Sequence, residues 1–368
     1  MASWYSHIYV YVRGVRERHP IYGYLLHLLL NIMLFAHLVA AVYSYYVYVF
    51  IVCGRMLTSA LQISIYLVIY HTLIIMTFWS LMETLRTPIS LVPDQYKVNA
   101  ETDEQLKKAT PQENGRYFPD RSTPEQIQQQ HTILTSVIAA KKLEFAETDQ
   151  HGRYRYCYQC SLLKPDRSHH CSSCGFCVVR FDHHCPWINK CVSHSNYKFF
   201  MLYIAYEVGL IVWSLLTSSE AVIRYFTDQE WRGELDEVLQ IVVCMIPHAI
   251  FGYFPLGELL IYHLQLISLN ETTCEQAKIP IIRGDPLANY NFGCWSNYRT
   301  VYGWGLWLFP LNTNVTDGLH HPINYSPTAD VNEKLVVHEI PGTESTTTVL
   351  TTSAVTGTPP RGKSESKL

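Results

Sequence analysis

Charge is scarce in this sequence. Only 16% of its residues are Asp, Glu, Lys or Arg, and the stretches Ile21–Cys53 and Leu61–Met82 hold none. The formal net charge is −3, so there is no basic excess to neutralise a phosphate backbone, and nucleic acid is excluded as a partner on bulk electrostatics. No short apolar core leads to a small-residue cleavage site: Arg13, Arg16, Glu17, Arg18 and Pro20 precede the first apolar stretch. That stretch reads as an anchor rather than a removable signal. No repeat stands at solenoid periods. Cysteine is thin outside one window, where only Cys53, Cys244, Cys274 and Cys294 occur.

Two further apolar stretches accompany the charge-free pair. Phe199–Thr217 contains one charge, Glu207, and Val238–Ser268 contains one, Glu258. A bilayer-crossing helix needs about 20 apolar residues, and all four stretches meet that length. The first is longer than required, and its span is placed near Leu28–Phe50. Tyr and Trp gather near the ends, as interfacial belts do. Glu207 and Glu258 are candidates for function because acids inside a span are costly. Pro247 and Pro255 predict a kinked fourth span.

Basic residues set the orientation. Of 28 Lys and Arg, all but Arg55, Arg224 and Arg232 fall before span 1, between spans 2 and 3, or after span 4. The positive-inside rule puts both ends, and everything between spans 2 and 3, in the cytosol, where thiols stay reduced. The expected fold is an α-helical polytopic membrane protein with four transmembrane helices and a cytosolic Cys/His-rich, two-zinc domain between helices 2 and 3. Its divisions are a head, 1–27; helices 1 and 2, 28–85; an insert, 86–198, with the Cys/His domain at about 155–198; helices 3 and 4, 199–268; a C-terminal region, 269–343; and a Ser/Thr/Pro/Gly-rich tail, 344–368, expected to be disordered. The insert's first half is polar, with one helix expected near Pro124–Phe145.

Seven cysteines and five histidines lie within Cys157–His194. Cys157-x2-Cys160 and Cys171-x2-Cys174 each place two thiolates on one ion, and each pair needs two more ligands. Cys177, Cys191, His169, His170, His183 and His184 can supply them, with His194 more remote; spacing alone does not assign them. Zinc suits such a thiolate and imidazole set better than iron–sulfur ligation. Two tetrahedral sites need eight ligands, so if two histidines serve, one cysteine is left over. The run Asp182-His183-His184-Cys185 names it. With Val178–Cys185 extended, alternate side chains face opposite ways, so His184 turns to a metal while His183 shares a face with Cys185. A thiol beside a histidine and an aspartate is a candidate nucleophile.

With these residues in view, the chain closely resembles the DHHC protein S-acyltransferases, or palmitoyltransferases. The matching elements are C-x2-C, K-P-x-R-x-x-H, C-x2-C-x2-C, DHHC-P-W, N-x-C and N-Y-x-x-F, together with Thr272-Thr273-Cys274-Glu275 as the TTxE motif and Tyr290-Asn291-Phe292-Gly293 with Asn297 as a C-terminal packing motif. The resemblance implies two interleaved structural zinc sites, Cys157, Cys160, His170 and Cys177 in one, and Cys171, Cys174, His184 and Cys191 in the other. It implies that Thr273 contacts Asp182 and that Asn297 braces the membrane helices. Two departures stand out: Thr87-Pro88-Ile89 where Asp-Pro-Gly is usual, and Ser193 where glycine is usual, which questions a backbone shape only glycine adopts easily.

The implied activity is two-step acyl transfer from palmitoyl-CoA, or another long-chain acyl-CoA, through acyl-Cys185 to cysteines of cytosolic or membrane-anchored proteins, with His183 as base and Asp182 orienting it. Lys164, Arg167 and His169 are expected to meet CoA phosphates. Trp187, Phe200 and Tyr203 are expected to line the upper part of a lipid-chain cavity, with the region of Leu210 setting chain length. The compartment expected from family habit is Golgi or plasma membrane, ahead of endoplasmic reticulum. The competing readings are a catalytically silent zinc-finger adaptor, which has no need of Cys185 beside His183, and a RING-like ligase, whose ligand spacing differs. The final Ser366-Lys367-Leu368 is read as chance, and the sequons at Asn270 and Asn314 are expected to face the cytosol and stay unused.

Overall fold

The computed structural model describes residues 18–29, 31–227, 234–283, 285–314 and 316–326. Four helices within it are long and apolar enough to cross a membrane: Ile32–Met56, Ala60–Arg86, Tyr197–Thr227 and Leu235–Leu269, spans 1 to 4. In hydrocarbon every backbone N–H and C=O needs an internal partner, which a continuous helix provides. Their outer faces are apolar and exposed, as at Leu61, Ile65, Val68 and Ile75 of span 2.

Spans 1, 3 and 4 depart from the hydropathy window for local reasons. Asn31 sits outside helical geometry (φ −93, ψ 3), which separates a helix at Pro20–Leu29 from span 1. Span 1 then widens into a π-helical segment, Val47–Met56, and ends where Leu57 turns extended (φ −89, ψ 141). It therefore lies further along the chain than Leu28–Phe50. Span 3 runs ten residues past Thr217 because helical bonding continues where apolarity stops; Arg224 and Glu220 pair there across one turn. Span 4 is α-helical over Leu235–Pro247, π-helical over His248–Tyr253 and α-helical again over Phe254–Leu269. Pro247 and Pro255 flank that π segment, and each removes an N–H from the ladder.

Spans 2 and 3 share the most extensive helix contact. At the end remote from the Cys/His window, Arg55 bonds Glu237 at 2.9 Å and Gln62 bonds Glu220 at 2.9 Å. Among the described residues, ten short strands, all outside the spans, form five antiparallel pairs. They are β1 (Gln112–Glu113) with β2 (Arg116–Tyr117), β3 (Glu147–Thr148) with β10 (Ile281–Ile282), β4 (Tyr156–Cys157) with β5 (Leu162–Leu163), β6 (His169–Cys171) with β7 (Phe176–Val178), and β8 (Phe181–Cys185) with β9 (Lys190–Ser193).

The insert's polar first half is structured. Thr123 and Gln126 form a reciprocal capping box ahead of the helix Pro124–Lys141, as the sequence Thr-Pro-x-Gln favours. A second helix, Ala100–Lys108, begins at the Asn99 cap. Leu106, Leu134 and Ile138 from these helices pack with Tyr154, Tyr156, Leu162 and Leu163 in one apolar core. The other junction is made by Cys185, Ile188 and Val192 from the β8–β9 hairpin, which pack against Leu81, Tyr197, Phe200, Met201, Tyr203 and Ile204 of spans 2 and 3. This contact fixes the hairpin to the helix ends.

Candidate active site

Three hairpins organise the cysteines. Cys157-x2-Cys160 lies in the β4–β5 turn and Cys171-x2-Cys174 in the β6–β7 turn. Antiparallel register sets His170 opposite Cys177 and His184 opposite Cys191, and such cross-strand neighbours lie close on one face. Each two-cysteine turn therefore meets the His/Cys pair of the following hairpin. The result is two four-residue clusters, Cys157, Cys160, His170, Cys177 and Cys171, Cys174, His184, Cys191, whose donor atoms lie within 4.8 Å of one another. His170 Nδ1 stands 3.5, 3.2 and 3.9 Å from the sulfurs of Cys157, Cys160 and Cys177. His184 Nδ1 stands 3.6, 3.4 and 3.6 Å from those of Cys171, Cys174 and Cys191. Donors held about 2.0–2.3 Å from a tetrahedral ion are spaced by about 3.3–3.8 Å, so both sets fit a closed metal site. All eleven cysteines are free of disulfides. Cys185 belongs to neither cluster.

Val178–Cys185 is not one extended run. β7 ends at Val178, Arg180 turns through φ 41, and β8 starts at Phe181. Within β8 the register shifts between Phe181 and His183, leaving Asp182 as an extra residue. A regular strand would send adjacent side chains to opposite faces; the bulge re-aims one of them. Asp182 Oδ2 reaches His183 Nδ1 at 2.6 Å. Cys185, two residues on, lies near enough to raise the same imidazole's hold on its proton. Ser193 pairs with Phe181 as an ordinary strand residue with no positive φ, so the place where glycine is usual needs none here.

Asp182 is 2% exposed and richly partnered. Thr273 donates from Oγ1 to Asp182 Oδ2 at 2.7 Å and to its carbonyl at 2.7 Å, and from its backbone N–H to Oδ1 at 3.1 Å. Burial works against the carboxylate, but the His183 hydrogen bond and charge, His263 and Thr273 outweigh it and hold Asp182 below the usual carboxylate range. Burial likewise disfavours the His183 imidazolium, yet its bond to Asp182 and the nearby Cys185 thiol prevail and push it up to about 10.

Thr273 opens a five-residue helix, Thr273–Ala277, whose capping box joins Thr272 to Glu275. Glu275 accepts from Arg167 Nε and Nη2, each at 2.7 Å. Arg167 also donates to Asn270 and lies 4.4 Å over the Tyr290 ring. This corrects the expectation that Arg167 meets CoA: its guanidinium is 1% exposed and fully engaged as a strut between the Cys/His hairpins and the segment after span 4. Lys164 and His169, by contrast, line an open cavity of about 270 Å³ with Arg155 and Lys278. Burial and the nearby charges of Arg155 and Lys164 push His169 down to about 3. Phe200 and Tyr203 are buried against Cys185, whereas Trp187 stands 61% exposed on the turn after β8 and is no part of that wall. Asn297 bonds the Ser268 carbonyl at 2.7 Å, Asn291 Oδ1 at 2.7 Å and the Phe292 N–H at 3.1 Å, tying the end of span 4 to the following turn.

Sequence reasoning overlooked His263. It is buried in span 4, a nitrogen of its ring lies within 4.8 Å of both Asp182 and His183, and its Nδ1 is 2.9 Å from the Tyr197 hydroxyl. An ionisable side chain in an apolar span was the available signal.

Comparison with known proteins agrees with this geometry. Residues 150–280 match the family model for DHHC palmitoyltransferases. The chain is 47% identical to palmitoyltransferase spe-10 of Caenorhabditis elegans, across 92% of its own length and 97% of the relative's. It is 33% identical to palmitoyltransferase ZDHHC15 of Homo sapiens, across 76% and 78%. On identity of this extent, the chain, with its four spans and two Cys/His clusters, belongs to the DHHC palmitoyltransferase family.

Proposed function

We propose that this protein S-acyltransferase works through Cys185, moving a long-chain acyl group from CoA to cysteines of membrane-associated proteins. One observation carries the assignment: the hydrogen-bonded Asp182–His183 pair stands two residues before a thiol that both complete ligand sets leave out. A catalytically silent adaptor has no use for that arrangement.

The chemistry follows from the charges. An imidazolium favours a thiolate beside it, and His183 holds its proton strongly. Cys185 Sγ attacks the thioester carbonyl, the bond to the CoA sulfur breaks, and His183 passes its proton to that sulfur. A substrate cysteine then gives its proton to His183, its sulfur attacks acyl-Cys185, and the Cys185 thiolate and protonated His183 return. Asp182 keeps the imidazole oriented throughout. Cysteine and histidine donors at these spacings favour two zinc ions in structural roles, since each set is closed by protein ligands. Lys164, with Arg155 and Lys278 on the same cavity wall, suits CoA phosphates, and His169, uncharged there, adds a hydrogen-bonding nitrogen. The lysine and arginine bias favours a cytosolic Cys185 and cytosolic ends, and family habit favours Golgi or plasma membrane.

The test is incubation of purified protein with labelled palmitoyl-CoA. Hydroxylamine-sensitive label on the wild type, absent from Cys185→Ser with metal content unchanged, supports the assignment. Equal labelling of both proteins removes Cys185 from the centre, and loss of metal from the variant makes it a ligand.

A further inference from the structure

A cavity of about 500 Å³ lies between the four spans. Leu81 lines it and belongs to the same apolar cluster as Cys185, which connects the cavity wall to the surroundings of that thiol. Its volume suits a bound small molecule, and most of its wall is apolar, Ile74, Phe78, Leu210 and Ile241 among the lining. One level is different. The Tyr203 hydroxyl lies 3.3 Å from His37 Nε2, which stands 3.8 Å from Glu207 Oε1. His248, bonded to Ser44 at 2.8 Å, lines the same cavity. Seven residues, about 10 Å of helix, separate Glu207 from Phe200, which packs against Cys185.

Glu207 is the anomaly at that level. It is 7% exposed, and among the described residues no donor hydrogen-bonds its carboxyl group; its ion-pair partner His37 stays at 3.8 Å. Glu220, further along the same span, shows what a satisfied acid looks like here: Gln62, Tyr66 and Arg224 all donate to it. A buried carboxyl group with one ion-pair partner at that distance and no hydrogen-bond donor is poorly compensated for its lost hydration. A plain hydrocarbon chain lying past Glu207 leaves that cost in place, whereas a chain with a hydroxyl at that depth donates to it and keeps methylenes against the apolar wall on either side.

We infer that the cavity selects a long acyl chain carrying a hydroxyl in its middle portion, with Glu207 accepting from that hydroxyl and His37 beside it. This rests on the transferase reading and specifies its acyl donor. A site built around a buried polar group discriminates against a ligand that leaves the group unpaired.

The experiment is competition on the full-length protein. Palmitoyl-CoA is mixed with equal amounts of hydroxypalmitoyl-CoAs whose hydroxyl steps along the middle of the chain, and the acyl groups on Cys185 are compared by mass spectrometry. The expected wild-type result is a preference of about tenfold for one hydroxylated chain, reversed in Glu207→Leu and reduced in Glu207→Gln, which keeps the shape should the leucine variant fail to fold. The inference is overturned if palmitoyl is taken at least as well as every hydroxylated chain, or if neither variant changes the ratio. In both cases Cys185 is still acylated and the transferase reading stands. No acyl group of any kind on wild-type Cys185 removes that reading, and this one with it.

Discussion

Two buried carboxyl groups serve this protein under opposite conditions. Asp182, in the β8–β9 hairpin, is met by His183 and by the hydroxyl and backbone N–H of Thr273. Glu207, in span 3, has His37 at 3.8 Å and no hydrogen-bond donor among the described residues. Low dielectric makes a satisfied polar group rigid and an unsatisfied one expensive. The contrast separates a carboxylate that the protein holds ready from one that awaits something outside the chain. Removing the supports of Asp182 one by one should move it towards the condition of Glu207, and the cost should fall with distance from the imidazole.

The largest effect is expected from the metal ligands, because they hold the strand itself. In His184→Ala, elemental analysis should give one metal per chain in place of two, and acyl labelling of Cys185 should vanish, since metal-bound hairpins of this size fold with their ion. Retention of both metals would detach His184 from the ligand set. Next comes the carboxylate. Asp182→Asn should leave metal content intact and slow labelling by about a hundredfold or more, the usual scale of acid–base support. If Glu207→Gln slowed palmitoyl transfer as much as Asp182→Asn, the contrast between the two groups would be gone.

Much of this was legible beforehand, for physical reasons that differ by region. The spans could be read because lipid imposes charge-free length, though not their ends: Asn31 and the π segment Val47–Met56 reflect local backbone geometry that hydropathy does not see. The two ligand sets could be approached by counting and by strand alternation, since hairpin register is short-range. The Asp182–His183 contact was less accessible, because it depends on a bulge just before the stretch to which alternation was applied, His183–Cys185. Arg167 looked like a surface cation by its neighbours Lys164 and His169, and only the return of the chain 108 residues later, at Glu275, buries it. His263 and Glu207 meet their surroundings through helix packing, and no spacing within a single span reveals that.

The third effect is smaller and isolates one donor. Thr273→Val removes the hydroxyl that bonds Asp182 Oδ2 and keeps the backbone N–H that bonds Oδ1. Losing one hydrogen bond to a charged acceptor costs about 1–3 kcal/mol, and the part felt in the transition state should slow labelling by about tenfold. Thr273→Ser keeps a hydroxyl and should restore most of the rate. Equal rates for the valine and serine variants would assign Thr273 to packing alone.

The smallest effect should come from His263, because it supports the pair from behind. Its Nδ1 meets the Tyr197 hydroxyl, and its ring lies 5.7 Å from that of His183 and 5.6 Å from that of Phe200, centre to centre. It makes no hydrogen bond to Asp182 or His183 among the described residues, so its influence is through the polarity of its ring nitrogens and ring packing. His263→Phe preserves the packing and removes the nitrogens; His263→Ala removes both. If the nitrogens matter, both variants should lower the rate of Cys185 acylation by about threefold to tenfold at saturating acyl-CoA, with half-saturation unmoved. If only packing matters, the phenylalanine variant should match the wild type while alanine does not. A loss in phenylalanine as large as that in Asp182→Asn would instead place His263 among the groups that hold the carboxylate directly, and the gradient of support around Asp182 would have to be redrawn.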